Sequence, residues 1–353
     1  MHSRHPMPST SRASSVSAAP VSAASVRPLR VEDQDALLAA FNGCFAASDP
    51  GFVARTAAEW RWRFVQNPAG RRATLALDDE GAVLAQYAGL PQRALVEGVA
   101  ATLTQGIDSF CVPRARALGR RGAFVAAGER FAADYGGAPG AGDPWMWGLP
   151  VRAARRIGER ALGYVPFRAQ VRLELAGPLR ASATDLSLRE APWSELDELA
   201  PELDGLNARQ AERCGAFALR DAPALAWRYA AHPSRRYRLV VATRHNGELA
   251  GFAVLGVGRF EDSEGLLWCD GLHDPEAEPA LVEFAADLAA REGHARLVAL
   301  LPPWCESFTS LQGLGFRVRG GRTLWVGRSY TGALPLEFWR ERWFYTLGDT
   351  DLV

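Results

Sequence analysis

The sequence predicts a mixed α+β protein made of two tandem copies of one domain, each a mostly antiparallel central sheet flanked by helices. Three observations predict it. Trp62-Arg63-Phe64-Val65-Gln66-Asn67-Pro68 returns as Trp227-Arg228-Tyr229-Ala230-Ala231-His232-Pro233, with Trp, Arg, an aromatic and Pro at the same spacing. Behind each copy come an apolar stretch, a turn with Gly, and a second apolar stretch: 73–77, Asp78-Asp79-Glu80-Gly81 and 82–88, then 239–242, His245-Asn246-Gly247-Glu248 and 249–255. Leu29-Arg30 and Leu188-Arg189 open the two halves, and Leu162-Gly163-Tyr164 and Leu314-Gly315-Phe316 stand near their ends. Four landmarks in one order imply duplication, so the chemistry lies where the copies differ.

The elements follow from periodicity. In the first half, 33–45 is helical, with Leu37, Leu38, Phe41 and Phe45 on one side. Strands follow at 73–78, 82–95 and 100–112, the first two joined by the Asp-Asp-Glu-Gly hairpin. Phe124, Gly128, Phe131 and Tyr135 form one stripe of a helix beginning near Gly119. Residues 145–149 form a short strand, 151–162 a helix, and 167–175 a last strand that closes the unit. The second half repeats the order, with strands at 238–243, 248–258 and 265–272 and a helix carrying Leu281, Phe284, Ala285 and Leu288. Residues 297–301 are then a buried strand, 305–314 a short helix, and Phe316 begins the closing strand.

Boundaries follow from composition. Residues 1–27 are rich in Ser, Ala and Pro without an apolar block, which reads as a disordered tail rather than a secretory signal. The first domain spans 28–177, residues 178–184 link, and the second spans 185–353 with an aromatic C-terminal segment. A length of 353 residues and 48% apolar content suit two cores. The formal net charge is zero, which gives no reason to expect a nucleic acid partner. No apolar run reaches the roughly 20 residues of a membrane helix. There is no lysine, which excludes a catalytic lysine, and the five cysteines form no Cys-x-x-Cys pair, which favours the cytoplasm.

The element order, the opening Val26-Arg27-Pro28-Leu29-Arg30-Val31-Glu32-Asp33, and Val112-Pro113-Arg114-Ala115-Arg116-Ala117-Leu118-Gly119-Arg120-Arg121-Gly122 resemble the GNAT acyltransferase superfamily. The last segment is similar to that family's strand-end Val-x-Pro and Arg-x-x-Gly loop. The resemblance is good over 26–175 and weak over 186–330, and the tandem layout resembles two-domain members, including the Fem-type aminoacyl ligases. It implies an acetyl-CoA or other acyl-CoA co-substrate and N-acylation of an amine: a small molecule, a sugar or a peptide. It also implies a loop formed by Cys111, Val112, Arg114, Arg116, Ala117, Leu118, Gly119, Arg120, Arg121, Gly122 and Ala123 around the CoA phosphates.

Physical chemistry supports that use. A loop entering a helix offers backbone N–H groups and the positive dipole end to an anion, and glycine permits close approach. Four arginines add charge. At the equivalent passage the second half has Asp270, Asp274, Glu276 and Glu278, so a pyrophosphate would meet repulsion of about 1 kcal/mol from each like charge. The second copy therefore reads as degenerate and non-binding.

Acylating an amine needs a proton acceptor, oxyanion donors and help for the leaving thiolate. Asp108, on the strand leading to the loop, is the candidate carboxylate; the bland alternative is a strand-edge acid in water. Backbone N–H groups near Cys111 to Arg114 would meet the oxyanion. The family often has Tyr four residues before its Gly-aromatic pair; here that position is Glu159, and Tyr164, Tyr135 or a water stands in as the acid. Asp270-x-x-His273-Asp274 lacks a third ligand at helical spacing and reads as a solvated loop, so no metal site is expected. Cys111 reads as a buried thiol, and Trp60, Trp62, Trp145 and Trp147 read as core rather than groove. The aromatic tail 339–353 reads as docked across the domain interface, carrying Asp349 or Asp351 toward the first-half cleft. A Fem-like aminoacyl transferase and an inactive scaffold are the alternatives. A monomer or a homodimer fits, since a tandem repeat already mimics a dimer.

Overall fold

A computed structural model describes residues 23–47, 49–116, 122–177, 179 and 184–352. Strand β1 (Ser25–Pro28) takes in three residues of the stretch assigned to the tail, because Val26 and Arg27 pair with Ala76 and Leu75. Helices α1 (Gln34–Ala46) and α2 (Ala57–Phe64) follow. The repeated Trp-Arg motif begins on α2, whose start is fixed by reciprocal bonds: Glu59 N–H donates to Thr56 Oγ1 at 3.2 Å and Thr56 N–H donates to Glu59 Oε2 at 2.9 Å. Strands β2 (Arg72–Leu77), β3 (Val83–Val96) and β4 (Val99–Cys111) form an antiparallel meander. The β2–β3 turn uses Gly81 at φ +80°, a conformation glycine adopts without a Cβ clash, while Asp78 Oδ1 accepts from Ala82 N–H at 2.8 Å.

Helix α3 (Ala123–Tyr135), strand β5 (Trp145–Gly148), helix α4 (Arg152–Ala161) and strand β6 (Val165–Leu175) complete the first half. The second half runs β7 (Ser187–Ala191), α5 (Leu196–Arg213), β8 (Ala216–Ala218) and α6 (Ala222–Leu225). A π turn over Ala226–Ala230 carries the second copy of the Trp-Arg motif. Then come β9 (Tyr237–Thr243), β10 (Leu249–Phe260), β11 (Ser263–His273), α7 (Glu278–Arg291), β12 (Leu297–Ala299), α8 (Glu306–Gly313), β13 (Arg317–Ser329) and α9 (Leu336–Arg342).

Twelve of these strands form one path, β1-β2-β3-β4-β5-β13-β6-β12-β11-β10-β9-β7. The pairing is antiparallel except at β4–β5 and β11–β12. Residues 167–175 do not close the first unit, contrary to the sequence expectation. Strand β6 pairs instead with β12 and β13, and β13 crosses to pair with β5. Each half lends its last strand to the other, and reading outward from β6–β13 the two sides present strands in matching order. Strand β8 adds to the exchange by pairing with β3.

The sequence period gave no hint of this exchange, because a swapped strand has the same alternation as a home strand. What holds it is aromatic packing at the seam. Trp145 stacks on Trp339 with ring centroids 4.8 Å apart, and Trp147, Phe167 and Trp325 pack around Trp343. Trp60, Trp62, Trp145 and Trp147 are all at most 2% exposed; the first three are core, whereas Trp147 also lines the cleft that opens between β4 and β5. The aromatic tail is docked, with Trp339 and Trp343 fully buried.

Candidate functional site

The site begins with an irregularity in β4. Pairing with β3 runs to Ala88↔Ile107 and resumes at Gln86↔Phe110, so β4 carries one extra residue. Asp108 absorbs the bulge at φ +45°, a left-handed conformation that Asp tolerates better than most residues. Gln86 Nε2 donates to its carbonyl at 2.8 Å. The bulge aims the Asp108 carboxylate at two arginines. Arg55 Nη2 lies 2.9 Å from Oδ1 and Arg63 Nε lies 3.8 Å from Oδ2. This is not the strand-edge acid in water: the Asp108 side chain is 9% exposed. Arg55 is held in turn by Asn42 of α1, whose side chain accepts from Arg55 N–H at 2.8 Å and donates to its carbonyl at 3.1 Å.

Beside the bulge the sheet opens. Strands β4 and β5 pair only through Leu103–Gln105 and Trp145–Trp147, and beyond them they part around a cleft of about 400 Å³. Phe41, Phe45 and Phe52 form one wall and Leu149 and Val151 another, with Asp108 and Tyr164 both at the surface of the cavity. A splayed sheet of this kind exposes backbone donors and acceptors that have no strand partner, which water or a ligand can satisfy.

Tyr164 reaches the cleft because Gly158 of α4 makes room. A Cβ on Gly158 would lie 2.0 Å from the Tyr164 ring. The Tyr164 hydroxyl forms a short hydrogen bond with that of Tyr87, and burial pushes its pKa up to about 12. Burial raises the Tyr87 hydroxyl as well. Glu159, at the position that the family resemblance assigns to a tyrosine, pairs with Arg155 at 3.4 Å on the face of α4, and Tyr135 donates to the Ala73 carbonyl at 3.4 Å. Of these three residues, Tyr164 lines the cleft.

The phosphate-loop candidates divide. Ala117, Leu118, Gly119, Arg120 and Arg121 lie outside the described residues. Gly122 stands at the N-cap of α3 and Ala123 begins the helix, with no side chain among the described residues capping it. Val112 N–H donates to the Leu84 carbonyl at 2.9 Å, which ends the sheet. Arg114 pairs with Asp78 at 2.8 Å. Arg116 donates to the Cys111 carbonyl at 2.9 Å and points a second nitrogen at Cys44 Sγ, 3.2 Å away. Burial raises the Cys111 thiol, opposed by Arg116. Both described arginines are thus anchored on the protein in this structure.

The second-half passage corrects two readings. Asp270 and Asp274 are not solvated: they are 5% and 4% exposed. Asp270 joins Arg220, Tyr229 and Thr346 in a buried cluster, with Arg220 Nε 3.1 Å from Oδ1 and Tyr229 donating at 2.8 Å. Asp274 is held by Arg209, Arg213 and Arg244 at 3.0, 2.9 and 2.8 Å, and Arg244 also holds Glu276. Those acids are therefore neutralised rather than repelling. What alters the anion position is Glu278 as first residue of α7, followed by Pro279, which has no N–H.

No family model and no curated protein matches the chain. Solved structures do. One is a conserved protein of unknown function from Enterococcus faecalis V583, described as a probable N-acyltransferase; it aligns over 87% of this chain and 72% of its own at 13% identity with a TM-score of 0.63. A GCN5-related N-acetyltransferase from Anabaena variabilis aligns over 87% and 73% at 15% identity, TM-score 0.59. The fold is that of the GCN5-related N-acetyltransferases. Saccharomyces cerevisiae N-myristoyltransferase with bound myristoyl-CoA shares this GNAT fold, over 86% and 81% at 10% identity, TM-score 0.54.

Sequence reasoning missed Arg55 and Arg63, because an arginine-rich chain gives no signal for which guanidinium meets Asp108. The tail residues Asp349 and Asp351 separate. Asp351 lines the cleft and accepts from Gln105 Nε2 at 2.7 Å, whereas Asp349 is buried against Arg220 in the second half. Among the described residues, no group of His, Cys, Asp and Glu could hold a metal and no helix is long and apolar enough to cross a membrane.

Proposed function

We propose that this protein is an acyl-CoA-dependent N-acyltransferase whose reaction takes place in the first-half cleft, on an acetyl or longer acyl thioester and an amine acceptor. The observation that supports it is the opening between β4 and β5, with Asp108 displaced into it by a bulge and Tyr164 beside it. The pantetheine arm would lie between the parted strands, with its amides completing the edges of β4 and β5. The CoA phosphates would meet the uncapped start of α3 and the arginines of 114–121.

In this reading the amine nitrogen attacks the thioester carbonyl carbon and the carbon–sulfur bond breaks. Asp108 or Asp351 takes the ammonium proton or holds the amine for a water to do so. Backbone N–H groups at the end of β4 receive the oxyanion. Tyr164 stays protonated at neutral pH, since its pKa is near 12, and can supply the proton that the leaving thiolate needs. The second half would shape the acceptor side and bind no acyl-CoA, since Glu278 and Pro279 replace the free helix start.

Calorimetric titration with acetyl-CoA and a longer acyl-CoA, alongside an Arg116→Ala/Arg121→Ala variant, tests the reading. Binding in the micromolar range that the variant loses is the expected result. No binding of either thioester or of free CoA would overturn it.

A further inference from the structure

The second half carries a cleft of its own, about 420 Å³, between the end of β11 and the start of α8. Its chemistry differs from that of the first. Glu278 is 3% exposed and lines this cavity. It has no hydrogen-bond donor among the described residues, and its one ion-pair contact there is with His273, whose Nε2 lies 3.5 Å from Oε2. That contact is not a bond. His273 Nδ1 faces the Asp274 carbonyl oxygen at 3.3 Å, and a carbonyl only accepts, so the ring proton sits on Nδ1. Burial lowers the His273 pKa, which keeps the ring neutral. Nε2 therefore presents a lone pair to the carboxylate. Two acceptors face each other across a gap with no donor between them.

A buried carboxylate without a donor is costly. The positive end of α7 offsets a fraction of that cost, since a helix dipole contributes far less than desolvation takes away. Arg213, at the rim, is committed to Asp274 and to the His273 carbonyl, and Glu306 adds a second acid. The remaining walls include Trp304 and Phe344. Two facing acceptors, a negative balance and aromatic walls describe the complement of an alkylammonium ion, whose N–H groups donate while its cationic head meets ring faces.

We propose that this second cleft binds a small primary alkylammonium ion, which donates to both Glu278 Oε2 and His273 Nε2 and lies against Trp304 and Phe344. The site is separate from the acyl-transfer reading and stands without it. Its volume suits a small organic molecule.

The test uses the full chain and n-butylamine at pH 7.5, followed by calorimetry, with n-butanol and tetramethylammonium as comparison probes. Butylammonium is expected to bind saturably and at least tenfold tighter than the isosteric alcohol, and tighter than tetramethylammonium, which cannot donate. Glu278→Gln is expected to lose this class of site, while Asp351→Ala in the other cleft retains it. Trp304→Leu, which leaves the buried charge untouched, should weaken binding several-fold. The melting temperature of Glu278→Gln without amine should equal or exceed that of the wild type, because an uncompensated buried charge is gone. A Glu278→Gln protein that titrates as wild type, or binding that Asp351→Ala abolishes, overturns the proposal, as does the absence of saturable butylammonium binding.

Discussion

Trp62 and Trp227 hold each other. The two indoles stack at 4.9 Å with an interplanar angle of 16°, Trp62 Nε1–H donates to the Trp227 carbonyl at 2.8 Å, and Trp227 Nε1–H donates to the Trp62 carbonyl at 2.9 Å. The repeated motif thus meets its own copy, in a reciprocal contact such as two-fold symmetry produces between identical surfaces. Both rings are at most 8% exposed, and each N–H finds its partner on the other half, whereas the buried Nε1 of Trp145 and Trp339 has none among the described residues.

This contact predicts strong non-additivity. Trp62→Phe removes one donor, leaves the Trp227 carbonyl short of a partner and loosens the stack, at about 1–3 kcal/mol. Trp227→Phe does the mirror image. Because each substitution already spoils a shared geometry, the double variant should cost less than the sum, with a coupling of roughly 0.5–3 kcal/mol in denaturant unfolding. Additive losses would mean that the two indoles act independently.

His232, from the same motif, predicts a pH dependence. Its Nδ1 accepts from Ser234 and Arg235 N–H at 3.3 and 3.1 Å, its ring lies 4.5 Å from Trp62, and it is 7% exposed. Burial, with Arg228, Arg235 and Arg63 adding repulsion, lowers its pKa from 6.5 to about 3. A depressed folded-state value means the unfolded chain binds the proton first. The stability contributed by neutral His232 is therefore complete above pH 6.5 and lost as pH falls toward 3, a change on the order of 5 kcal/mol at most. Melting temperature should fall across this window, and His232→Gln should flatten the fall. An unchanged slope would refute the assignment.

Much of the fold was legible because helix and strand periods are local. Leu37, Phe41 and Phe45 mark α1, and Phe124, Gly128, Phe131 and Tyr135 mark α3, as found. Helix α2 was hidden, since Trp-Arg-Trp-Arg-Phe over eight residues has no clear stripe. The exchange of β6 and β13 was hidden for a deeper reason: which partner a strand takes depends on long-range packing, here Trp145 against Trp339, and not on its own pattern. The candidate site was half legible. Asp108 and Tyr164 do share a cleft, but the bulge that aims Asp108 and the tail that delivers Asp351 are tertiary facts.

The position of Tyr164 depends on a missing methyl group. An alanine at 158 would put its Cβ 2.0 Å from the Tyr164 ring, too close for any small adjustment. Gly158→Ala should push Tyr164 off Tyr87, cost about 1–3 kcal/mol from overpacking, and, if Tyr164 serves the leaving thiolate, reduce turnover at least as much as Tyr164→Phe does. A crystal structure of the variant with Tyr164 unmoved would dispose of this.

Asp108 faces two arginines, and its removal should be felt twice. Asp108→Asn leaves Arg55 and Arg63 without a counter-charge in a largely buried place, with an expected loss of about 3–5 kcal/mol. If Asp108 also serves the amine, kcat should fall about 10²–10⁴-fold while the affinity for the acyl thioester holds. Asp108→Asn with unchanged kcat under conditions where it remains folded would confine the residue to a structural role.

The C-terminal segment separates a structural prediction from a functional one. Trp339 and Trp343 are fully buried, and an aromatic ring of this size hides about 150–250 Å², worth roughly 4–6 kcal/mol each at 25 cal/mol per Å². Two such losses rival the whole stability of a typical domain, about 5–15 kcal/mol, so deleting 339–353 should abolish folding. Asp351→Ala removes one hydrogen bond, from Gln105, and should cost about 1 kcal/mol. Its melting temperature should therefore stay near that of the wild type. If Asp351 handles the amine proton at the cleft, the same substitution should lower turnover and shift its pH profile toward alkaline values, where more acceptor is already neutral. Turnover and pH profile both matching the wild type would leave Asp351 as a tether for the tail and return the proton to Asp108.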